Sequence, residues 1–178
     1  MVKTSTFTTP FRRRREGRTN YVKRAAQLKS EKIRAIIRKS TNHMRVQFVE
    51  HRAGMDYVLV QAATTELKEF NYSGHTGNLP AAYLAGYLAG KRLHALGKND
   101  VIADIGIQRP PLKTRVFAAI KGIADAGIQV AADAEAFPKD DRLGGKHIEA
   151  NSAKKPAVKD FTKMVSETKQ AINAGVKS

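Results

Sequence analysis

Apolar and polar residues alternate along two stretches between positions 32 and 49. In Lys32-Ile33-Arg34-Ala35-Ile36-Ile37-Arg38 an extended chain carries Ile33, Ala35 and Ile37 on one face. Met44-Arg45-Val46-Gln47-Phe48-Val49 alternates in the same way. A period of two is that of a half-buried strand. The polar Ser40-Thr41-Asn42 between them is a turn, so the pair predicts a hairpin. Ala53-Gly54 turns the chain again, into a third strand at Tyr57-Val58-Leu59-Val60. A looser polar stretch runs from about Lys68 to Gly77.

The period then changes. Asn78 is placed to cap a helix with Pro80 in its first turn, and Gly97 to end it. Leu84, Leu88 and Ala95 follow helical spacing, and Ala82, Gly86 and Gly90 lie four apart. Each such glycine costs about 1 kcal/mol against Ala in a helix interior. A close approach by a second backbone is the reading that repays this cost. Val101 to Ile107 is a mostly apolar run, as expected of a central strand buried on both faces. Val116, Ala119, Ile120 and Ile123 mark a second helix closed by Gly127, and Ile128-Gln129-Val130 a last short strand. These elements predict an α/β fold with a mixed sheet and helices packed on it, in the order β-β-β-α-β-α-β along the chain. No internal repeat is present. Beyond Pro138 the chain is polar until Phe161, Met164, Val165, Thr168 and Ile172 mark a final amphipathic helix that docks on some surface.

Charge divides the chain. Residues 1–39 hold 13 of the 32 Lys and Arg but only two of the 16 acids, in a chain of net charge +16. The expected organisation is a basic arm over 1–31, an α/β domain over 32–137, and a polar linker with a C-terminal helix over 138–178. Such a charge says little about fold; it selects a polyanionic partner, since phosphate contacts release condensed counterions. Nucleic acid and an anionic membrane surface both fit. No run approaches the roughly 18 apolar residues of a spanning helix, and no signal-like apolar segment follows the first charges. The absence of Cys excludes disulfides, thiolate chemistry and Cys-based zinc sites, and agrees with a cytosolic chain. Arg12, Arg13, Arg14 and Arg15 repel one another and will not enter a core. Guanidinium suits phosphate, and Phe7, Phe11 and Tyr21 lie among the charges where they can stack on bases. The alternative for the arm is a solvated tail or a localisation signal.

Candidate chemistry adds little. The five histidines form no metal-ligand spacing, and Gly144-Gly145-Lys146 lacks the longer loop and hydroxyl residue of a phosphate-binding loop. No cofactor motif is present. Asp104, in an apolar strand, is the best catalytic candidate, as in a nuclease. Two-metal nucleases need converging carboxylates, whereas the first strand offers Arg34 and Arg38. Asp104 is therefore expected to be structural, with donors from backbone around Gly106 or from Arg109 or Arg115. A free-standing basic RNA chaperone is a further alternative.

The stretch Phe11-Arg12-Arg13-Arg14-Arg15-Glu16-Gly17-Arg18-Thr19-Asn20-Tyr21 resembles the N-terminal signature of a ribosomal family. These are the large-subunit proteins that bind 5S rRNA, numbered eighteen in archaea and bacteria and five in eukaryotes. Arg38-Lys39-Ser40-Thr41-Asn42-His43, Thr76-Gly77-Asn78-Leu79-Pro80-Ala81-Ala82-Tyr83 and Asp104-Ile105-Gly106-Ile107-Gln108-Arg109 through Arg115-Val116-Phe117 are similar to the same family, in family order. Gly144-Gly145-Lys146-His147-Ile148 resembles a marker of its archaeal and eukaryotic branch, and the length resembles archaeal members. Residues 151–178 match nothing recognisable. The resemblance implies a ribonuclease H-like topology without its active site. It implies a non-enzymatic place in the central protuberance of the cytoplasmic large subunit, tying 5S rRNA to the large, 23S-type rRNA. Its implied neighbours include the other 5S-binding protein, number five of archaea and bacteria. The implied RNA contacts are the arm (Arg12, Arg13, Arg14, Arg15, Arg18, Tyr21, Arg24), the turn (Arg38, Lys39, Ser40, Asn42, His43), and Arg109, Lys113 and Arg115. Met44-Arg45 departs from the apolar-aromatic pairs of bacterial relatives, so their base-stacking contacts are not carried over.

Overall fold

A computed structural model describes residues 8–150 and 160–175. Phe7, one of the three aromatic candidates, lies outside the described residues. The described residues open with two helices, α1 (Arg12–Arg15) and α2 (Tyr21–Lys29), where the sequence marked only a basic arm. Asn20 accounts for the second: its side chain accepts from the Lys23 amide and caps α2. Three strands follow, β1 (Ile33–Lys39), β2 (Met44–Arg52) and β3 (Met55–Ala63). The hairpin at Ala53-Gly54 turns through positive φ at both residues, 48° and 81°, the geometry that matches the twist of a two-residue hairpin. A 3-10 turn (Glu66–Phe70) leads to α3 (Leu79–His94), β4 (Asp100–Asp104), α4 (Arg115–Asp125) and β5 (Gln129–Val130). A second 3-10 turn (Ala134–Ala136) precedes α5 (Asp140–Gly144), α6 (Lys146–Glu149) and α7 (Phe161–Gly175).

The five strands form one mixed sheet in the order β3-β2-β1-β4-β5. β1 pairs antiparallel with β2 and parallel with β4, with Ile36 opposite Asp104. Ile33, Ala35 and Ile37 point to the buried face with Met44, Val46 and Phe48. There α3 and α4 cover them. Asn78 caps α3 as its sequence predicts, accepting from the Ala81 amide at 2.8 Å.

The small residues of α3 are explained by α4. A Cβ on Gly86 would lie 2.1 Å from the Ala119 carbonyl oxygen, and one on Gly122 2.1 Å from that of Tyr83. The two backbones touch at both points. Gly86→Ala is therefore expected to lower stability by about 1–3 kcal/mol, as overpacking does. Urea titration checks this, and an unchanged midpoint would contradict the contact.

β4 departs from its sequence reading. It is an interior strand, but it ends at Asp104 instead of Ile107, and Ile102 and Ala103 are only half-buried. Gly106, at φ +67°, turns the chain out of the sheet, and its amide donates back to Asp104. Among the described residues the second face of the sheet is not closed by a helix pair; it receives α2. Gln27 of α2 donates to the Ala103 carbonyl at 3.3 Å.

The final helix docks on the chain itself. Phe161, Met164, Val165, Thr168 and Ile172, the five residues singled out by spacing, are its buried set. They meet α3 and the first 3-10 turn. Tyr87 donates to Asn173 Oδ1 at 2.7 Å and Lys169 to the Tyr83 hydroxyl at 2.8 Å. No helix among the described residues is long and apolar enough to cross a membrane.

Candidate nucleic-acid interface

Arg34 is the largest fully buried side chain in the described chain, at 1% exposure. A charge so buried needs partners. Its Nη1 lies 3.4 Å from Asp104 Oδ2, and its Nη2 makes an ionic contact of 2.7 Å with Asp56 Oδ2. Each carboxylate is shared. Asp104 Oδ1 accepts from the Gly106 amide at 2.8 Å and from Arg38 Nη2 at 3.2 Å, and Arg38 Nη1 donates to the Asp104 carbonyl at 2.8 Å. Asp56 takes Arg24 of α2 at 2.8 Å and His51 Nδ1 at 2.8 Å. Burial alone would raise the Asp56 carboxyl, but hydrogen bonds from His51, Arg24 and Arg34 hold it well below the ordinary carboxylate range.

The network corrects the sequence reading of Asp104. Gly106 supplies an amide as expected, but the bases are Arg34 and Arg38, not Arg109 or Arg115. β1 and β4 are parallel neighbours with Ile36 opposite Asp104, so the flanking Arg34 and Arg38 both reach the carboxylate. Where a nuclease would gather acids, this sheet gathers guanidiniums. Among the described residues no group of three His, Asp or Glu could hold a metal ion.

Above this floor lies a cleft of about 290 Å³ between α2 and the β4 turn. Arg13, Arg18, Lys23, Arg24 and Arg38 line it, and Asp104 is its only carboxylate. Arg24 and Arg38 are held by Asp56 and Asp104. Arg18 shares Glu16 with Arg12 on the exposed surface, and Arg13 donates to the Thr19 hydroxyl. Lys23, which the sequence reading did not nominate, completes the lining. Its position two residues from Tyr21, on the first turn of a capped helix, was the available signal.

Two further clefts collect five of the other candidates. Arg14 and Tyr21 meet Val22 and Ile107, and Tyr21 packs against the exposed Phe11 with ring centroids 5.2 Å apart. Lys39, Lys113 and Arg115 line the third, with Arg142, which no pattern in its own segment marks. Arg12, Arg15 and Arg109 are exposed and line none of these.

The turn after β1 is locked from behind. The Ser40 amide donates to the His43 carbonyl at 2.8 Å, and the His43 amide to Ser40 Oγ at 3.0 Å. Arg115 Nη1 donates to the carbonyls of Gly77 at 2.6 Å and Thr41 at 3.3 Å. Thr76 Oγ1 donates to the Asn42 carbonyl at 2.9 Å. A Cβ on Gly77 would crowd the carbonyls of Thr41 and Asn42 at 3.0 and 3.1 Å. Arg115 thus positions the turn, which sequence spacing could not reveal.

An α/β body with a guanidinium-lined face and, among the described residues, no assembled acid cluster is the form of a nucleic-acid-binding protein rather than a nuclease. The family described as ribosomal large subunit proteins 60S L5 and 50S L18 matches residues 5–103. The chain is 44% identical over 138 residues to large ribosomal subunit protein uL18 of Methanococcoides burtonii, covering 78% of this chain and 80% of that protein. It is 43% identical over 139 residues to large ribosomal subunit protein uL18 of Methanothrix thermoacetophila, covering 78% and 82%. The chain belongs to this family, in its archaeal form.

Proposed function

We propose that this chain binds 5S rRNA and helps attach it to the 23S-type rRNA in the central protuberance. As a member of the family, it is a structural component of the large ribosomal subunit of the cytoplasm and not an enzyme; its partners are rRNA and neighbouring ribosomal proteins. Protein five is its proposed neighbour there, and the chain divides into an arm over 1–31, a domain over 32–137 and an extension over 138–178. The observation that carries the proposal is the α2–β4 cleft, where Arg13, Arg18 and Lys23 stand over a floor whose carboxylate, Asp104, is already shared by two guanidiniums. A polyanion supplies the missing charge. The sheet order, three antiparallel strands followed by two parallel ones, supports a ribonuclease H-like topology.

In this reading the arm residues Arg12 to Arg15, Arg18, Tyr21 and Arg24 anchor the RNA backbone. Lys39, Ser40, Asn42 and His43, with Arg38, read its shape from a rigid turn, and Arg109, Lys113 and Arg115 flank it. Because Arg38 is tied to Asp104, Asn42 is the cleaner probe of readout. Asn42→Ala is expected to reduce the preference for 5S rRNA over a random RNA of equal length, while Arg13→Ala weakens both alike. Competition binding at fixed salt checks this. Equal affinity of the wild type for both RNAs would instead identify a general RNA chaperone.

A further inference from the structure

Thr76 settles a question about His43 that neither the family nor the fold answers. The Thr76 hydroxyl has one proton, and it makes two contacts: the Asn42 carbonyl at 2.9 Å and His43 Nδ1 at 3.0 Å. A carbonyl oxygen can only accept, so the hydroxyl proton goes to Asn42. Towards His43 the Thr76 oxygen can then only accept. The contact is satisfied when His43 Nδ1 carries the ring proton. Thr76 is buried at 9% exposure, so an unmet contact there would be costly. Neutral imidazole has one N–H, and Nε2 is left as a bare acceptor. His43 is exposed, and its Nε2 has no hydrogen-bond partner among the described residues.

From this geometry we infer that His43 is a specificity-determining residue whose Nε2 accepts a hydrogen bond from an O–H or N–H donor of the bound RNA. The inference rests on the reading of this chain as a 5S rRNA binder. It names the chemistry of one contact at that site. A phosphate offers only acceptors, so it does not satisfy neutral His43. The donors that RNA offers are the 2′-hydroxyl and the amino or imino groups of bases. Beside the cations of this face, which serve any phosphate, His43 stands as an acceptor that asks for ribose or base. Its neighbours enforce the position: Ser40 closes the turn around it, and Arg115 holds the Thr41 carbonyl from behind.

The test has two arms. Long-range proton–nitrogen NMR of the free full-length protein is expected to show His43 protonated at Nδ1 and bare at Nε2. Thr76→Val should release that preference and Thr76→Ser keep it. A ring protonated at Nε2 in the wild type would overturn the inference whatever RNA binds. The second arm compares His43→Gln, whose amide oxygen can accept near the Nε2 position, with His43→Lys, which can only donate. On 5S rRNA the Lys variant is expected to bind about tenfold more weakly than the Gln variant, although it adds a positive charge. Equal affinities, or tighter binding by the Lys variant, would overturn the inference in favour of a phosphate contact or mere turn packing. Single 2′-deoxy substitutions in the 5S rRNA then separate the donors. One that weakens the wild type but not the Lys variant identifies a ribose hydroxyl, and none doing so assigns a base. If the wild type shows no preference for 5S rRNA, the proposed function fails, and the NMR result still reports separately on the tautomer.

Discussion

Deletion of residues 1–18 is expected to weaken binding to 5S rRNA about a thousandfold near physiological salt while leaving the domain folded. The deletion removes Arg12, Arg13, Arg14, Arg15 and Arg18, all exposed. Each lost phosphate contact lowers the slope of log affinity against log salt by about 0.7–0.9, so five lower it by about 4. Acting over most of a decade, between about 0.15 M and about 1 M salt, a slope change of 4 amounts to about three orders of magnitude. The cut belongs before Asn20. Removing residues 1–24 would also destroy the α2 cap and the Arg24–Asp56 ion pair. Such a deletion mixes lost stability with lost contacts. Binding measured from low to high salt, beside a thermal melt, separates the two. An unchanged slope would show that the arginines of α1 do not touch phosphate.

Asp104→Asn is expected to destabilise the protein by about 3 kcal/mol, the cost of breaking a buried ion pair on one side. Arg34 is the reason. Its side chain is 2% exposed, and with Asn at 104 it keeps only Asp56 as a formal counter-charge. Asn also loses half of the acceptor capacity that serves Gly106, Arg34 and Arg38. The double variant Arg34→Met with Asp104→Asn should lose less than the sum of the single changes, because the orphaned charge disappears with its partner. Denaturant titration of the four proteins closes the cycle. RNA binding well below the melting temperature should change little. A nuclease would behave the other way, with stability kept and magnesium-dependent cleavage abolished. Cleavage of labelled RNA by the wild type that vanishes in Asp104→Asn would overturn the structural role.

The parts of this fold that were legible in the sequence are those with a strict period. Ile33, Ala35 and Ile37 alternate because one face of β1 meets α3 and α4, and Phe161 to Ile172 repeat helically because α7 has one buried face. The Asn78 cap and the α3 glycines were equally plain, since each answers a local demand of backbone geometry. The failures share a cause. The apolar run from Val101 to Ile107 looked uniformly buried, but Gly106 turns it out of the sheet after Asp104, and Ile107 is 45% exposed. The helices of the arm were hidden by their charge, because four arginines read as repulsion until the cap at Asn20 and the seat on Asp56 are seen. For the interface, charge named the arm and the resemblance named the turn. Neither could show that Arg24, Arg38 and Arg115 are occupied with carboxylates and carbonyls, because those partners lie 32, 66 and 74 residues away.

The seat of α7 bears on synthesis, which is vectorial. The cationic arm leaves the ribosome before the α/β elements. The helix α7, in which Ile172 has no exposed surface and Phe161 only 3%, arrives last among the described elements; Phe161 packs against Tyr72, Lys169 reaches Tyr83 and Asn173 reaches Tyr87. Until then the side of α3 that α7 covers is without that cover, while the arginines are already synthesised. A nascent chain therefore exposes its cationic end before α7 can cover the aromatic side of α3.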